Sequence, residues 1–224
     1  MDHEPRWEFL RSADSRWPEA ETCPHVWRVE VPAGASGAPA DLARCVRETA
    51  RSAERLVLSR YLQVTAADLR LTREPSGRPF VEGRRLDFNI SHSGKWVVLA
   101  VATPGPVGVD VERMDAHRDL NAIATRYFAP HEAETVSKEG APAFYRFWTA
   151  KEAALKSTGA GIAGGLEETL LRPGQGKAGD VLLPNGTVLN LQHFPVAPGY
   201  LGAVAWKGHH DPPPKFYEIE SLET

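Results

Sequence analysis

The sequence predicts a mixed α/β (α+β) chain built as two halves, residues 1–105 and 106–224. Strand-like runs with alternating or β-branched character are interspersed with helical runs whose apolar residues recur at threes and fours. Both kinds of run occur on each side of Pro104-Gly-Pro106, which breaks the chain near its midpoint and marks the boundary. A length of 224 residues suffices for one large domain, or for two modest ones that share a core.

In the first half, Val26 to Val31 reads as a strand ending at Pro32, followed by a small-residue loop to Pro39. Ala40 to Leu62 reads as a helix, with Val46, Ala50, Ala53, Leu56, Val57 and Tyr61 on its apolar face. Arg47, Arg51 and Arg55 line another face of it, and a solvated surface is their simplest reading. Asp68-Leu-Arg-Leu-Thr predicts a short strand, Pro75-Ser-Gly-Arg-Pro a turn, and Pro79-Phe-Val another extended piece. Strands are expected over Leu86–Ser91 and Trp96–Thr103.

In the second half, Val107–Glu112 predicts a strand and Leu120–Phe128 a helix; a further helix starts at Pro130, where proline suits the first turn. Phe144–Ser157 is a strongly patterned helix with a glycine-rich exit over Gly159–Gly165. Val188–His193 and Tyr200–Ala205 are strand-like, and the tail from Asp211-Pro-Pro-Pro reads as extended and dispensable.

Hydrophobic residues make up 42% and charged residues 25%, the balance of a soluble globular protein. A net charge of −3 supplies no general attraction to nucleic acid or anionic membrane, so any phosphate binding must be local. No apolar run approaches the ~20 residues of a membrane span. The acidic N-terminus, MDHEPRWEF, does not read as a secretory signal, and a cytoplasmic location is expected. Cys23 and Cys45 make no disulfide framework and lack zinc-type spacing, which leaves two free thiols. His209 and His210 read as solvent-exposed and carry no role.

Three short stretches carry candidate chemistry. Asp110 and Glu112 stand two apart in a strand, so both carboxylates point to one face while Val109 and Val111 point to the other. That pattern suits either an exposed polar face or one side of a cation site, and Gly108 leaves room for close approach beside it. Glu152 and Lys156 lie four apart on the helix that carries Phe144, Phe147, Trp148 and Leu155, so both can address one ligand. Lys151 lies about 100° round from Glu152. A third carboxylate and a lysine beside the Asp110/Glu112 strand favour magnesium, which takes oxygen ligands from a few carboxylates and from phosphate. Asn89-Ile-Ser-His-Ser93 then offers hydroxyls, an imidazole and backbone N–H groups as a phosphate cradle.

Phe88-Asn-Ile-Ser-His-Ser, Val107-Gly-Val-Asp-Val-Glu and Phe147-Trp-Thr-Ala-Lys-Glu-Ala-Ala-Leu-Lys, in this order and spacing, resemble the 4′-phosphopantetheinyl transferases. The length and the Trp-Thr-x-Lys-Glu wording are similar to the surfactin-synthetase-activating type rather than to the short trimeric type. Gly77-Arg-Pro-Phe and Arg126-Tyr-Phe-Ala-Pro-His-Glu132 extend the resemblance over roughly Arg55 to Gly165. It implies a pseudo-twofold monomer of two similar α/β halves, with coenzyme A as substrate in the cleft between them.

The resemblance further implies that Asp110, Glu112 and Glu152 hold Mg²⁺, with Mn²⁺ as a substitute, and that Lys156 helps 3′,5′-ADP depart. Ser91 and His92 would contact the phosphates, and Lys151 would add a further phosphate contact. Arg78 and Pro79 would lie near the adenine, Arg78 standing where the family has lysine, and Arg51 and Arg55 would lie near the nucleotide. The acceptor implied is a serine of an apo acyl or peptidyl carrier domain, activated by Glu152 or by a water that Glu152 holds. The same carboxylates could instead activate water in a magnesium-dependent phosphohydrolase, or survive in a non-catalytic nucleotide binder.

Overall fold

The computed structural model of the chain describes residues 5–222 apart from 15, 20, 33–38, 84, 104, 160–164, 174–177 and 209–211. The first half contributes β1 (Trp7–Leu10), β2 (His25–Glu30), α1 (Pro39–Leu62), β3 (Leu71–Arg73), β4 (Pro79–Val81), β5 (Asp87–Ser93) and β6 (Trp96–Ala102). The second contributes β7 (Val107–Arg113), α2 (Leu120–Tyr127), α3 (Pro130–Glu139), α4 (Ala141–Thr158), β8 (Leu170–Pro173), β9 (Ala178–Leu182), β10 (Val188–Ala197), β11 (Tyr200–Trp206) and β12 (Lys215–Ile219).

Two five-stranded sheets result, ordered β1-β12-β2-β6-β5 and β7-β11-β10-β9-β8, with β3 and β4 forming a separate hairpin. The sheets repeat one topology. In each, a strand (β2 or β7) runs antiparallel to the last strand of a hairpin (β5-β6 or β10-β11), and helix and a further strand pair intervene in sequence. This is the twofold relation that the resemblance implied. Fully apolar β6 is buried on both faces. One face meets α1 through Val46, Val57, Leu58, Phe88 and Leu99. The other meets the second sheet through Val98, Ala100, Val109, Phe194, Val204 and Trp206. On the far side of the second sheet, Ala150, Ala153, Ala154 and Leu155 of α4 pack on Leu189, Leu191 and Ala203. The layers therefore run α1, first sheet, second sheet, α4.

Most expected elements appear within a few residues of their expected bounds, with three differences. The strand expected over Asp68–Thr72 begins only at Leu71, because Thr65 and Asp68 close a turn through a 2.6 Å side-chain bond and backbone bonds from Asp68 and Leu69 to Thr65. The segment after Pro214 is not dispensable. β12 lies between β1 and β2, parallel to both, and buries Phe216, Tyr217 and Ile219. Sheet membership thus crosses the 105/106 division, since β12 belongs to the first sheet. Finally, β1, β8 and β9 were not expected, being short and weakly apolar runs that gain stability from their partners. Pro104, most of the glycine-rich exit, His209, His210 and Asp211 lie outside the described residues.

Candidate active site

β5 and β7, each an edge strand of its sheet, lie next to one another where the layers join, and side chains of β5 bridge them. Alternation puts Asp87, Asn89, Ser91 and Ser93 on one side of β5, facing β7. Asp87 Oδ2 accepts from the Val107 N–H at 2.8 Å, and Asn89 Oδ1 from the Val109 N–H at 3.0 Å. Ser93 Oγ accepts from the Arg113 N–H at 3.0 Å and donates to Glu112 Oε2 at 2.9 Å. Backbone donors that an edge strand would leave unpaired are satisfied this way, and Glu112 is held at the same time.

Helix α4 crosses β7 at a distance that only glycine permits. A Cβ on Gly108 would lie 1.9 Å from the Ala153 carbonyl oxygen and 2.6 Å from the Ser157 nitrogen. The room left at Gly108 is thus filled by helix backbone, which brings Glu152 and Lys156 over the β7 carboxylates. Lys156 Nζ lies 2.6 Å from Asp110 Oδ1 and donates to Ser91 Oγ at 3.1 Å, while Ser91 Oγ donates to Asp110 Oδ1 at 2.8 Å.

Burial raises the Asp110 carboxyl above its ordinary range, opposed by Lys156, Ser91 and the Val111 N–H. Burial and then the charge of Asp110 push Glu112 up. Glu152 is pushed up to about 7, first by burial, with Asp110 and Glu112 adding to the rise and Lys156 opposing it. Asp110 Oδ2 and Glu152 Oε1 are buried without a hydrogen-bond partner. Three carboxylates against one ammonium leave a surplus of negative charge, and two oxygens lack donors, so the donor set fits a hard divalent cation. Among the described residues, three ligating atoms mutually within 4.8 Å occur not in this trio but at Glu21, Cys23 and His25.

Asp110, Glu112, Glu152, Lys156 and Ser91 are therefore brought together, whereas other expected site residues are not. His92 is exposed, on the opposite side of β5 from Ser91. Lys151 is fully buried on another face of α4, so the expected phosphate contact does not hold. Its ammonium lies 2.7 Å from Glu132 Oε2 and donates to the carbonyls of Leu166 and Thr169. The rotation of about 100° between adjacent helical residues turns it away from Glu152. Glu132 also accepts from the Ala129 N–H at 3.1 Å, so the pair fixes the start of α3 to α4.

Arg78 sits at the junction of the halves, bonded to Asp87 Oδ2 at 2.6 Å and to the Val107 carbonyl at 3.1 Å. Pro79 opens β4 beside it, half-buried. Arg51 is exposed, and Arg55 donates to the Ala66 carbonyl. Arg55 lines a cavity of about 1370 Å³ with Arg16, Trp17, Arg60 and Leu222, and none of the trio lines it. Asp87 had no expected role, and Ser93, expected in a phosphate cradle, bonds Glu112 and the Arg113 N–H; the signal was their period-2 placement with Asn89 and Ser91 along β5.

The profile of the 4′-phosphopantetheinyl transferase superfamily matches residues 106–201, and that of the 4′-phosphopantetheinyl transferase N-terminal region matches residues 47–104. Protein slr0495 of Synechocystis sp. is 40% identical over 129 residues, covering 54% of this chain and 52% of that protein. The 4′-phosphopantetheinyl transferase HetI of Nostoc sp. is 35% identical over 117 residues, 49% of each. Against these two, the chain spans about half the relative's length. The 4′-phosphopantetheinyl transferase ffp of Bacillus subtilis is 34% identical over 157 residues, 67% of this chain and 68% of that protein. A match of this extent, over a fold whose two halves meet at the three motifs, places the chain in the 4′-phosphopantetheinyl transferase family.

Proposed function

We propose that the protein transfers the 4′-phosphopantetheine arm of coenzyme A to a serine of an apo carrier domain, dependent on Mg²⁺ and releasing 3′,5′-ADP. The observation that supports this most is the buried, electron-rich junction where Asp110, Glu112, Glu152 and Lys156 meet. Asp110, Glu112 and Glu152 would hold the magnesium ion, which when bound screens the pyrophosphate and makes phosphorus a better electrophile. Lys156, 2.6 Å from Asp110, would offer its ammonium to the negative charge that develops on the 5′-phosphate of the departing 3′,5′-ADP. Ser91 holds Lys156 and Asp110 in register through one hydroxyl.

Glu152, or a water that it holds, would take the serine proton. Its carboxyl is raised to about 7 in the cation-free site, and a bound cation would lower it, so the water held between Glu152 and the ion would share that role. Arg78 and Pro79, at the seam between the halves, would border the adenine, with Arg51 and Arg55 contributing positive charge farther out along α1. The acceptor would be an acyl or peptidyl carrier domain, met by a monomer in the cytoplasm.

Purified protein incubated with coenzyme A, Mg²⁺ and an apo carrier domain should add about 340 Da to the carrier, one phosphopantetheine arm on serine. Asp110→Ala should abolish the gain. Magnesium-dependent breakdown of coenzyme A with unmodified carrier would instead support a phosphohydrolase and overturn the transferase reading.

A further inference from the structure

Outside the cleft, three side chains bring metal-ligating atoms together. A carboxylate oxygen of Glu21, the Cys23 sulfur and a ring nitrogen of His25 all lie within 4.8 Å of one another. Glu21 and Cys23 lie at the bend that precedes β2, and His25 opens that strand. Cys23 Sγ is 3.9 Å from Glu21 Oε2. Cys23 and His25 are buried while Glu21 is exposed, so the set opens to solvent at the carboxylate. Sulfur, imidazole nitrogen and carboxylate oxygen suit a borderline cation such as zinc and not magnesium.

His25 supplies an independent indication. Its Nδ1 is 2.5 Å from the Tyr61 hydroxyl, whereas its Nε2 is buried without a partner in a residue only 1% exposed. Buried polar atoms are seldom left so. Metal-bound histidines usually donate their other N–H to a nearby oxygen, and Tyr61 offers one, which also accepts from Trp27 Nε1 at 3.3 Å. The competing cation is Lys215, whose Nζ lies 2.6 and 2.7 Å from the two Glu21 oxygens. Lys215 pairs in register with His25, and its side chain is 45% exposed, so its ammonium can turn into water with little loss.

We propose that Glu21, Cys23 and His25 form a binding site for a divalent cation of the zinc class, separate from the acidic trio. On binding, the ligand atoms contract to about 3.5 Å from one another, the edge of a tetrahedral shell, with water at the fourth position. The Cys23 thiol proton is released to solvent as the metal–sulfur bond forms, and Lys215 leaves Glu21. The ion then clips the segment before β2 to β2 itself and, through Tyr61, to α1.

The test uses the full chain, reduced and metal-free, titrated with Co²⁺ in excess Mg²⁺. The expected result is a near-ultraviolet thiolate-to-cobalt band with strong visible absorption, saturating at about one equivalent and bleached by Zn²⁺. Cys23→Ser should remove the thiolate band, and Asp110→Asn should keep it. Lys215→Ala should tighten Co²⁺ binding several-fold. No thiolate band by about ten equivalents, or a band that survives Cys23→Ser and so belongs to Cys45, overturns the proposal. Should Cys23→Ser fail to fold, unchanged affinity in Lys215→Ala overturns it equally.

Discussion

Glu152 is asked to be an ion and is housed as a neutral group. Burial and two neighbouring carboxylates favour its protonated form, so without a cation the folded state binds its proton up to about pH 7, against 4.5 as the ordinary value. Between those limits the native state holds more protons than the unfolded one, and stability falls as pH rises. His25 acts in the opposite sense. Burial lowers its pKa from 6.5 to about 4, so its contribution is complete above 6.5 and is lost as pH falls toward 4. The two slopes offset one another in the wild type. In chelator, Glu152→Gln should therefore gain on the wild type as pH climbs from 4.5 to 7.5, by at most about 3 kcal/mol in urea melts. Saturating Mg²⁺ should narrow that gap. The same variant should lose most of its transfer rate, and turnover near normal with intact Mg²⁺ affinity would exclude Glu152 as the base.

Lys151 makes the contrasting case one residue away. Its charge is spent on Glu132 and two carbonyls, so Lys151→Met should destabilise the chain by about 3–5 kcal/mol, the penalty for stranding a buried carboxylate. At a temperature where the variant is folded, its KM for coenzyme A should stay within about twofold of wild type; a large rise in KM would restore the phosphate contact. Adjacent letters in one helix have different surroundings here, and spacing alone distinguished Glu152 and Lys156, four apart, from Lys151 just before them only as a rotation. What that rotation pointed at was a second helix, α3, whose placement is a tertiary fact.

At the scale of elements, the site depends on how closely α4 rides on β7. Gly108→Ala would drive a methyl into the Ala153 carbonyl, and the helix must lift. A stability loss of about 2–3 kcal/mol is expected from overpacking, with a larger fall in transfer rate because Glu152 and Lys156 leave Asp110 together. Equal activity at a permissive temperature would show that the crossing distance does not set the site. Elements with strong local patterning were legible in the sequence: α1, α4, β5, β6 and β7 declare themselves by period, and Asp110 and Glu112 by alternation on β7. The hairpin of β8 and β9 was not, since its residues are apolar only in part and its register is dictated by β10.

For the whole molecule, the coupling between halves lies in the polar seam of β5 against β7 and in strand exchange. Arg28 of β2 donates to Glu218 of β12 and to the Val196 carbonyl of β10, so one guanidinium joins both sheets. Truncation before Lys215 would remove the strand that separates β1 from β2, and with it the buried Phe216, Tyr217 and Ile219. Loss of a cooperative thermal transition, or a fall of more than about 10 °C in Tm, is expected by circular dichroism. The sequence around β12 reads as tail because its pairing partners, residues 7–10 and 25–28, are 209 and 190 positions away.

That separation also orders events during synthesis. Every strand of the second sheet lies between residues 107 and 206, so it can close once that stretch has left the ribosome. The first sheet starts earlier and finishes later: β1 waits for residues 215–219 as its partner, and β2, paired with β6 on one side, waits for them on the other. Such a late, long-range closure is slow, and it leaves apolar strand edges open while it is awaited. The half translated first is thus the half completed last, and the nascent chain is most vulnerable to aggregation through the open edge of β2 rather than through β7, which carries Asp110 and Glu112.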